Sequence, residues 1–168
     1  MLSLKIRPAS FYDIASIVDV RLSALTANEV SGFVAPGNNM YLSVEQLQKE
    51  WNVENRLKDG FEVLLAECDG EVIGFIVFNL KVCDDNIDNV VVAKEYQRKG
   101  VGRALVGFVE ELAVSRGLSV ITTDTTESAE GVPWRAYDFW RKMGYEDKGV
   151  RLATEYGFKV IPLVKNLK

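Results

Sequence analysis

The chain has 168 residues, 48% of them hydrophobic and 26% charged, enough apolar material for a core without metal or disulfide staples. It contains no histidine, which excludes histidine-based triads and zinc chemistry, and Cys68 and Cys83 are too few and too far apart for a metal motif. The net charge of −4 speaks against a nucleic-acid surface, and no apolar run is long enough to span a bilayer. The start, Met1 to Arg7, lacks the long apolar stretch of a signal peptide. The expectation is one domain over residues 1–168, cytoplasmic, with neither nucleic acid nor membrane as a partner.

Lys5-Ile6-Arg7 reads as a short first strand. Ser10 and Asp13 form a capping-box pair before a helix whose face is Ile14, Ile17, Val18, Leu22 and Leu25. From Thr26 to Asn39 the pattern breaks into a Gly- and Pro-containing loop of a length typical of functional loops. Ser43 and Gln46 predict a second, half-exposed helix carrying Leu47 and Trp51. Asp69-Gly70, between the apolar runs 61–66 and 72–78, predicts a hairpin. A turn at 83–86 leads into a third antiparallel strand through Val90-Val91-Val92. A helix follows, with Leu105, Phe108, Val109 and Leu112 on one face. Residues 119–123 then give a strand that pairs parallel, because a helix separates it from its predecessor. Pro133 is expected in the first turn of another helix and Gly144 just past its end. Two last extended runs, 150–152 and 158–161, turn at Tyr156-Gly157, and Pro162 predicts that the last strand lies at an edge or is near its end there. The order is β-α-α-β-β-β-α-β-α-β-β, an α+β domain with a mixed sheet.

Chemistry concentrates where the third strand meets the third helix. There the chain reads Gln97-Arg98-Lys99-Gly100-Val101-Gly102-Arg103. Such a turn gathers unpaired amides and the positive end of a helix dipole, small residues admit an anion, and Arg98, Lys99 and Arg103 add charge. A phosphate or pyrophosphate suits it. The Gly-Lys-Ser/Thr ending of a nucleoside-triphosphate loop and the three-glycine dinucleotide spacing are both missing.

Val92 to Leu105 resembles the acetyl-coenzyme A signature of the GNAT N-acetyltransferases, Arg/Gln-x-x-Gly-x-Gly/Ala, and Ala136 to Tyr145 resembles that family's second block. The two stand in the family's order. The resemblance implies the acyl-coenzyme A N-acyltransferase fold, acetyl-coenzyme A as cofactor, and a primary amine, small molecule or peptide, as acceptor. It further implies that the backbone of Val90, Val91 and Val92 bonds the pantetheine arm and polarises the thioester carbonyl near Val92. Gln97 belongs to the cofactor loop, and the backbone of Arg98, Lys99, Gly100, Val101, Gly102 and Arg103 would hold the pyrophosphate. Family members are often dimers, which the C-terminal strands around Pro162 could support.

The resemblance carries departures. Several members place a base glutamate where this chain has Asn86, which cannot take a proton. Strand alternation puts Asp84 and Asp88 on the face of Asn86, so Asp88 is the expected base, with Asp84 and Asp85 as alternates. The family's acid tyrosine falls on Trp140, so Tyr137, one turn earlier, is the expected replacement, against the alternative that it packs in the core. The family's asparagine before this helix falls near Pro133. Trp51, Trp134 and residues 32–40 are candidates for the acceptor pocket. Two readings follow: an N-acetyltransferase working by direct transfer in a ternary complex, or a non-catalytic acyl-coenzyme A sensor on the same fold.

Overall fold

The computed structural model describes residues 3–25, 42–51 and 60–167. Strand β1 (Leu4–Pro8) leads through a 3-10 turn (Phe11–Asp13) into α1 (Ile14–Ala24), and α2 (Val44–Glu50) follows. Next come β2 (Glu62–Cys68), β3 (Glu71–Phe78), β4 (Ile87–Val92), α3 (Val101–Ser115), β5 (Val120–Glu127) and α4 (Ala136–Lys142). The short β6 (Glu146–Asp147) and β7 (Leu152–Ala153) precede β8 (Lys159–Asn166). The loop expected at 26–39 lies outside the described residues.

The eight strands form one mixed sheet in the order β1-β2-β3-β4-β5-β8-β6, with β7 also on β8. Antiparallel ladders run from β1 to β4 and from β5 to β8, and among the described residues only β4 and β5 are parallel. Asp69 and Gly70 both take positive φ, 51° and 84°, as a two-residue hairpin turn of the favoured hand requires. Each face of the sheet has its own core. One packs Leu105, Val106 and Val109 of α3 and Trp140 of α4 on Ile73, Ile76 and Ile121. The other packs Ile14, Ile17 and Val18 of α1, Leu47 of α2 and Trp51 on Leu65, Phe75 and Val91.

Most expected elements are present, with informative differences. The Ser10 amide donates to Asp13 Oδ2 at 2.7 Å, but the same carboxylate also binds Arg7 at 2.9 Å, so the cap also ties α1 to β1. Leu22 and Phe108, expected on buried faces, are exposed, while Val20, Ala24 and Val106 are buried instead. Pro133 forms a bridge with Glu127, and α4 starts only at Ala136.

Pro162 sits inside an interior strand. Its missing amide is tolerated because β7 covers 159–160 of β8 and β6 covers 163–164, leaving residues 161–162 opposite the break.

Candidate active site

The parallel contact between β4 and β5 is a single register position, Ile87 opposite Thr123. Asn86 pins it. Buried at 2% exposure, its Oδ1 accepts from the Thr122 amide at 2.9 Å and hydroxyl at 3.0 Å, while its Nδ2 donates to the carbonyls of Val82 and Asn79. The Thr123 hydroxyl donates to the Ile87 carbonyl at 2.9 Å. Beyond this clamp the two strands share no further ladder position.

The divergence leaves β4 with a free edge. Pairing to β3 runs Gly74–Val92, Phe75–Val91 and Ile76–Val90, and the Ala93 amide donates back to Ile73. Backbone groups alternate along an antiparallel strand, so Val90 and Val92 present theirs to the opening. Gln97 fills one of them: its Nε2 donates to the Val92 carbonyl at 3.0 Å and holds the loop against the strand.

The loop then turns through two left-handed residues, Arg98 at φ 65° and Gly100 at φ 90°, with Gly100 as N-cap of α3. The first amides of α3 have no partner within the helix and face outward at its positive end.

Edge, loop and helix together wall a cleft of about 680 Å³, closed on the far side by Trp134, Phe139 and Met143 of the α4 region and by Arg21, Ala24 and Leu25 from the α1 end. Among the described residues its lining includes Arg21, Arg98, Arg103, Arg135 and Lys142 but no carboxylate. In a chain of net charge −4 that segregation makes a local anion site. Val90, Val91, Val92, Gln97, Arg98, Gly100, Val101, Gly102 and Arg103 all line the cleft. Lys99 does not; its ammonium lies over the Tyr96 ring, 5.4 Å from the centroid.

The expected catalytic residues fall less neatly. Asp88 does not share a face with Asn86. Val77 opposes Asn89 and Phe78 opposes Ile87, so Asp88 is the extra residue of a β-bulge and reaches solvent while Asn86 is buried. Strand alternation fails there. Asp84 is exposed and 3.8 Å from Lys148. The surroundings of Asp88 thin its hydration and raise its pKa, Asp85 raises it further, and Arg21 opposes both.

Tyr137 donates its hydroxyl to Asp147 at 3.0 Å, and burial followed by that bond raises its pKa. It is not part of the cleft wall. Trp140 is core, edge-to-face with Phe139 and Tyr145 at centroid distances of 5.1 and 4.9 Å. Trp51 is buried as well, whereas Trp134 lines the cleft.

Asp124, on β5, was not among the expected residues. It follows Thr123 directly; the residue is exposed at the surface, but packing around its carboxyl thins the hydration there and, with Asp85 and Asp88 nearby, pushes its pKa up to about 7. Its sequence context, polar within a threonine-rich strand, carries no signal for this.

A mixed sheet split at one parallel pair, with a cationic turn beside the split, defines an acyl-coenzyme A-dependent acyltransferase fold. Residues 59–147, a little over half of the chain, match the family model described as an acetyltransferase (GNAT) domain. The chain belongs to this family of acetyl-coenzyme A-dependent acetyltransferases. Solved structures share the fold over nearly the whole chain. A GCN5-related N-acetyltransferase from Rhodopseudomonas palustris superposes with TM-score 0.72 at 21% identity, covering 99% of this chain and 98% of that one. PaiA N-acetyltransferase from Thermoplasma acidophilum, in complex with coenzyme A, gives 0.72 at 18%, covering 98% and 99%. An aminoglycoside 6′-N-acetyltransferase complexed with coenzyme A gives 0.67 at 15%, covering 98% of this chain and 97% of that one. Among curated protein sequences none matches the chain. Among the described residues no helix is long and apolar enough to cross a membrane, and no carboxylate or cysteine group could hold a metal ion.

Proposed function

We propose that the chain acts over residues 1–168 as one N-acetyltransferase domain, transferring acetyl to a primary amine of a small molecule or peptide. The observation that carries this is the free edge of β4 running straight into a cationic helix start within one cleft. Acetyl-coenzyme A supplies an activated acetyl thioester. The backbone of Val90 and Val92 would bond the pantetheine arm as an added strand does, and the amides of 98–103 with Arg98 and Arg103 would hold the pyrophosphate. The free amide of Val92 would polarise the thioester carbonyl at the edge.

A protonated amine has no lone pair, so transfer needs a group that takes its proton before attack. A carboxylate at the opening supports that step, and Asp88 stands there with a raised pKa, as the anion that draws the ammonium in or as the group that takes its proton. Direct transfer in a ternary complex needs no protein nucleophile, and Cys83 is exposed on the turn before β4 with no histidine in the chain to activate it. One observation favours the second reading, a non-catalytic acyl-coenzyme A-binding module: Tyr137 is bound to Asp147, and Trp140 is core.

A thermal-shift titration with acetyl-coenzyme A, coenzyme A and ATP tests the site. The expected result is a saturable shift for the coenzyme A pair that ATP does not match, with affinity lowered roughly tenfold or more when Arg98 and Arg103 are both replaced by alanine. No shift at millimolar ligand overturns it. Asp88→Asn then separates the readings: an enzyme loses rate and keeps its affinity for coenzyme A, whereas a sensor has no rate to lose.

A further inference from the structure

Asp124 and Asp88 occupy equivalent places on the two diverging strands. Ile87 and Thr123 are the last paired residues, and Asp88 and Asp124 come next on β4 and β5. They stand at the root of the opening whose β4 wall, from Val90 onward, lines the cofactor cleft. The bulge frees Asp88 from any partner on β3, and Asp124 faces Pro162 on β8, which offers neither charge nor an amide proton. Asp85, in the turn before β4, is the third carboxylate nearby. Among the described residues none of the three has a cation within 4 Å, while their neighbour Asp84 leans toward Lys148. Arg21 from α1 opposes the rise at Asp88 and donates to Asn89 Oδ1 at 3.4 Å.

From this geometry we infer that Asp124 is the residue that takes the proton from the acceptor ammonium, with Asp88 as the anion that draws that ammonium in. The inference rests on the N-acetyltransferase reading and assigns its proton step. The two carboxylates differ in their surroundings. Asp88 has Arg21 to favour its charged form; among the described residues the charges acting on Asp124 are the like charges of Asp85 and Asp88, and it is held near 7.

Ammonium groups titrate near ~10, so a base near 7 accepts their proton far more readily than an ordinary aspartate does. One proton passes from R–NH3+ to the Asp124 carboxylate, giving R–NH2 and a carboxylic acid. The nitrogen lone pair then forms the C–N bond as the C–S bond breaks and its electron pair goes to sulfur. The second nitrogen proton ends on that sulfur as thiol, and Asp124 returns its proton to water.

The test uses the full chain with acetyl-coenzyme A and a panel of spermidine, tyramine and an alanine-initiated peptide. Wild-type kcat/KM is expected to rise with pH through a midpoint near 7. Asp124→Asn loses that limb, falling by roughly 10²-fold at neutral pH. It converges on wild type at alkaline pH, where the amine is already neutral, and its affinity for coenzyme A stays within about twofold.

A second measurement does not depend on turnover. Carbon-13 titration of the Asp124 side-chain carboxyl is expected to give a midpoint near 7 that drops in Asp88→Asn. An ordinary carboxylate midpoint for Asp124, or an Asp124→Asn variant with an unchanged pH profile, overturns the assignment. If wild type acetylates none of the three amines, the enzyme reading loses support, and the carboxyl titration still decides whether the pair exists.

Discussion

Gly100 caps α3 at φ 90°, a conformation that costs an L-residue about 1–2 kcal/mol, and a Cβ there would meet nothing within 4 Å. The cost of Gly100→Ala is therefore backbone strain alone, expected to lower Tm by roughly 2–8 °C. Gly100→Asn should recover part of it, since asparagine tolerates the left-handed region. Gly102 has the opposite constraint. Its φ is ordinary, and a methyl would sit 3.5 Å from the Phe139 ring and 3.7 Å from Val92, in normal contact but inside the cleft wall. Gly102→Ala should keep or slightly raise Tm, as Gly to Ala within a helix does, while weakening coenzyme A binding. Melting curves and coenzyme A titrations on the two variants separate fold from function. Loss of both in Gly102→Ala would contradict this division. The two-glycine spacing was readable in the sequence because it answers to backbone chemistry. The bond from Gln97 back to Val92 was not, because a glutamine in a loop has many partners available and only the folded turn selects one.

The opening between β4 and β5 depends on where their pairing stops, and that stop is built from Asn86, Thr122 and Thr123. Sequence alternation placed Asn86 and Asp88 on one face, but a bulge adds a residue without changing composition, so nothing in the string 84–90 announces it. Burial then decides the roles. Asn86 is spent on the clamp, and Asp88 is left at the opening. Asn86→Ala would strand the Thr122 amide and the Val82 carbonyl, and at about 1–3 kcal/mol per stranded group the expected loss is roughly 2–5 kcal/mol. Because the clamp sets the root of the opening, coenzyme A affinity should fall together with stability. Asn86→Glu, which copies the family's base, should do no better, since a longer, charged side chain has no room or partner in that buried place. A stable, more active Asn86→Glu would show that the clamp is not what holds the strands. Pro162 was misplaced for a related reason: a proline reports its missing amide, not whether the neighbouring strand is interrupted opposite it. Helix faces, the hairpin and the element order were legible because periodicity and turn chemistry are local. Register and bulges are not.

Over the whole molecule the charges are sorted, and the sorting has a measurable consequence with pH. Arg7 holds Asp13 at about 2 and Arg151 holds Asp147 at about 2, through bonds of 2.7 and 2.8 Å. Arg7 also lowers Glu67. These carboxylates sit below their unfolded value of 3.8 or 4.5, so their contribution to stability is present above it and is lost as pH falls toward 2. Asp88 and Asp124 are raised, so the folded state holds their protons more tightly than the unfolded chain does. Their effect has the opposite sign: stability declines as pH rises from 3.8 toward about 7 and is flat beyond. The two sets together place the maximum of Tm on the acid side of neutrality, at about pH 4–6. Asp124→Asn should remove most of the falling limb and melt above wild type at pH 8, with little difference at pH 4. Asp147→Asn should instead lower Tm at neutral pH and narrow its gap to wild type in acid. A structural carboxylate at position 124 would give the reverse, a variant less stable at pH 8. A fold that carries an unfavourable charge at the root of its cleft, and ion-paired ones along its β1 and β8 flanks, is bearing a stability cost where the amine must lose its proton.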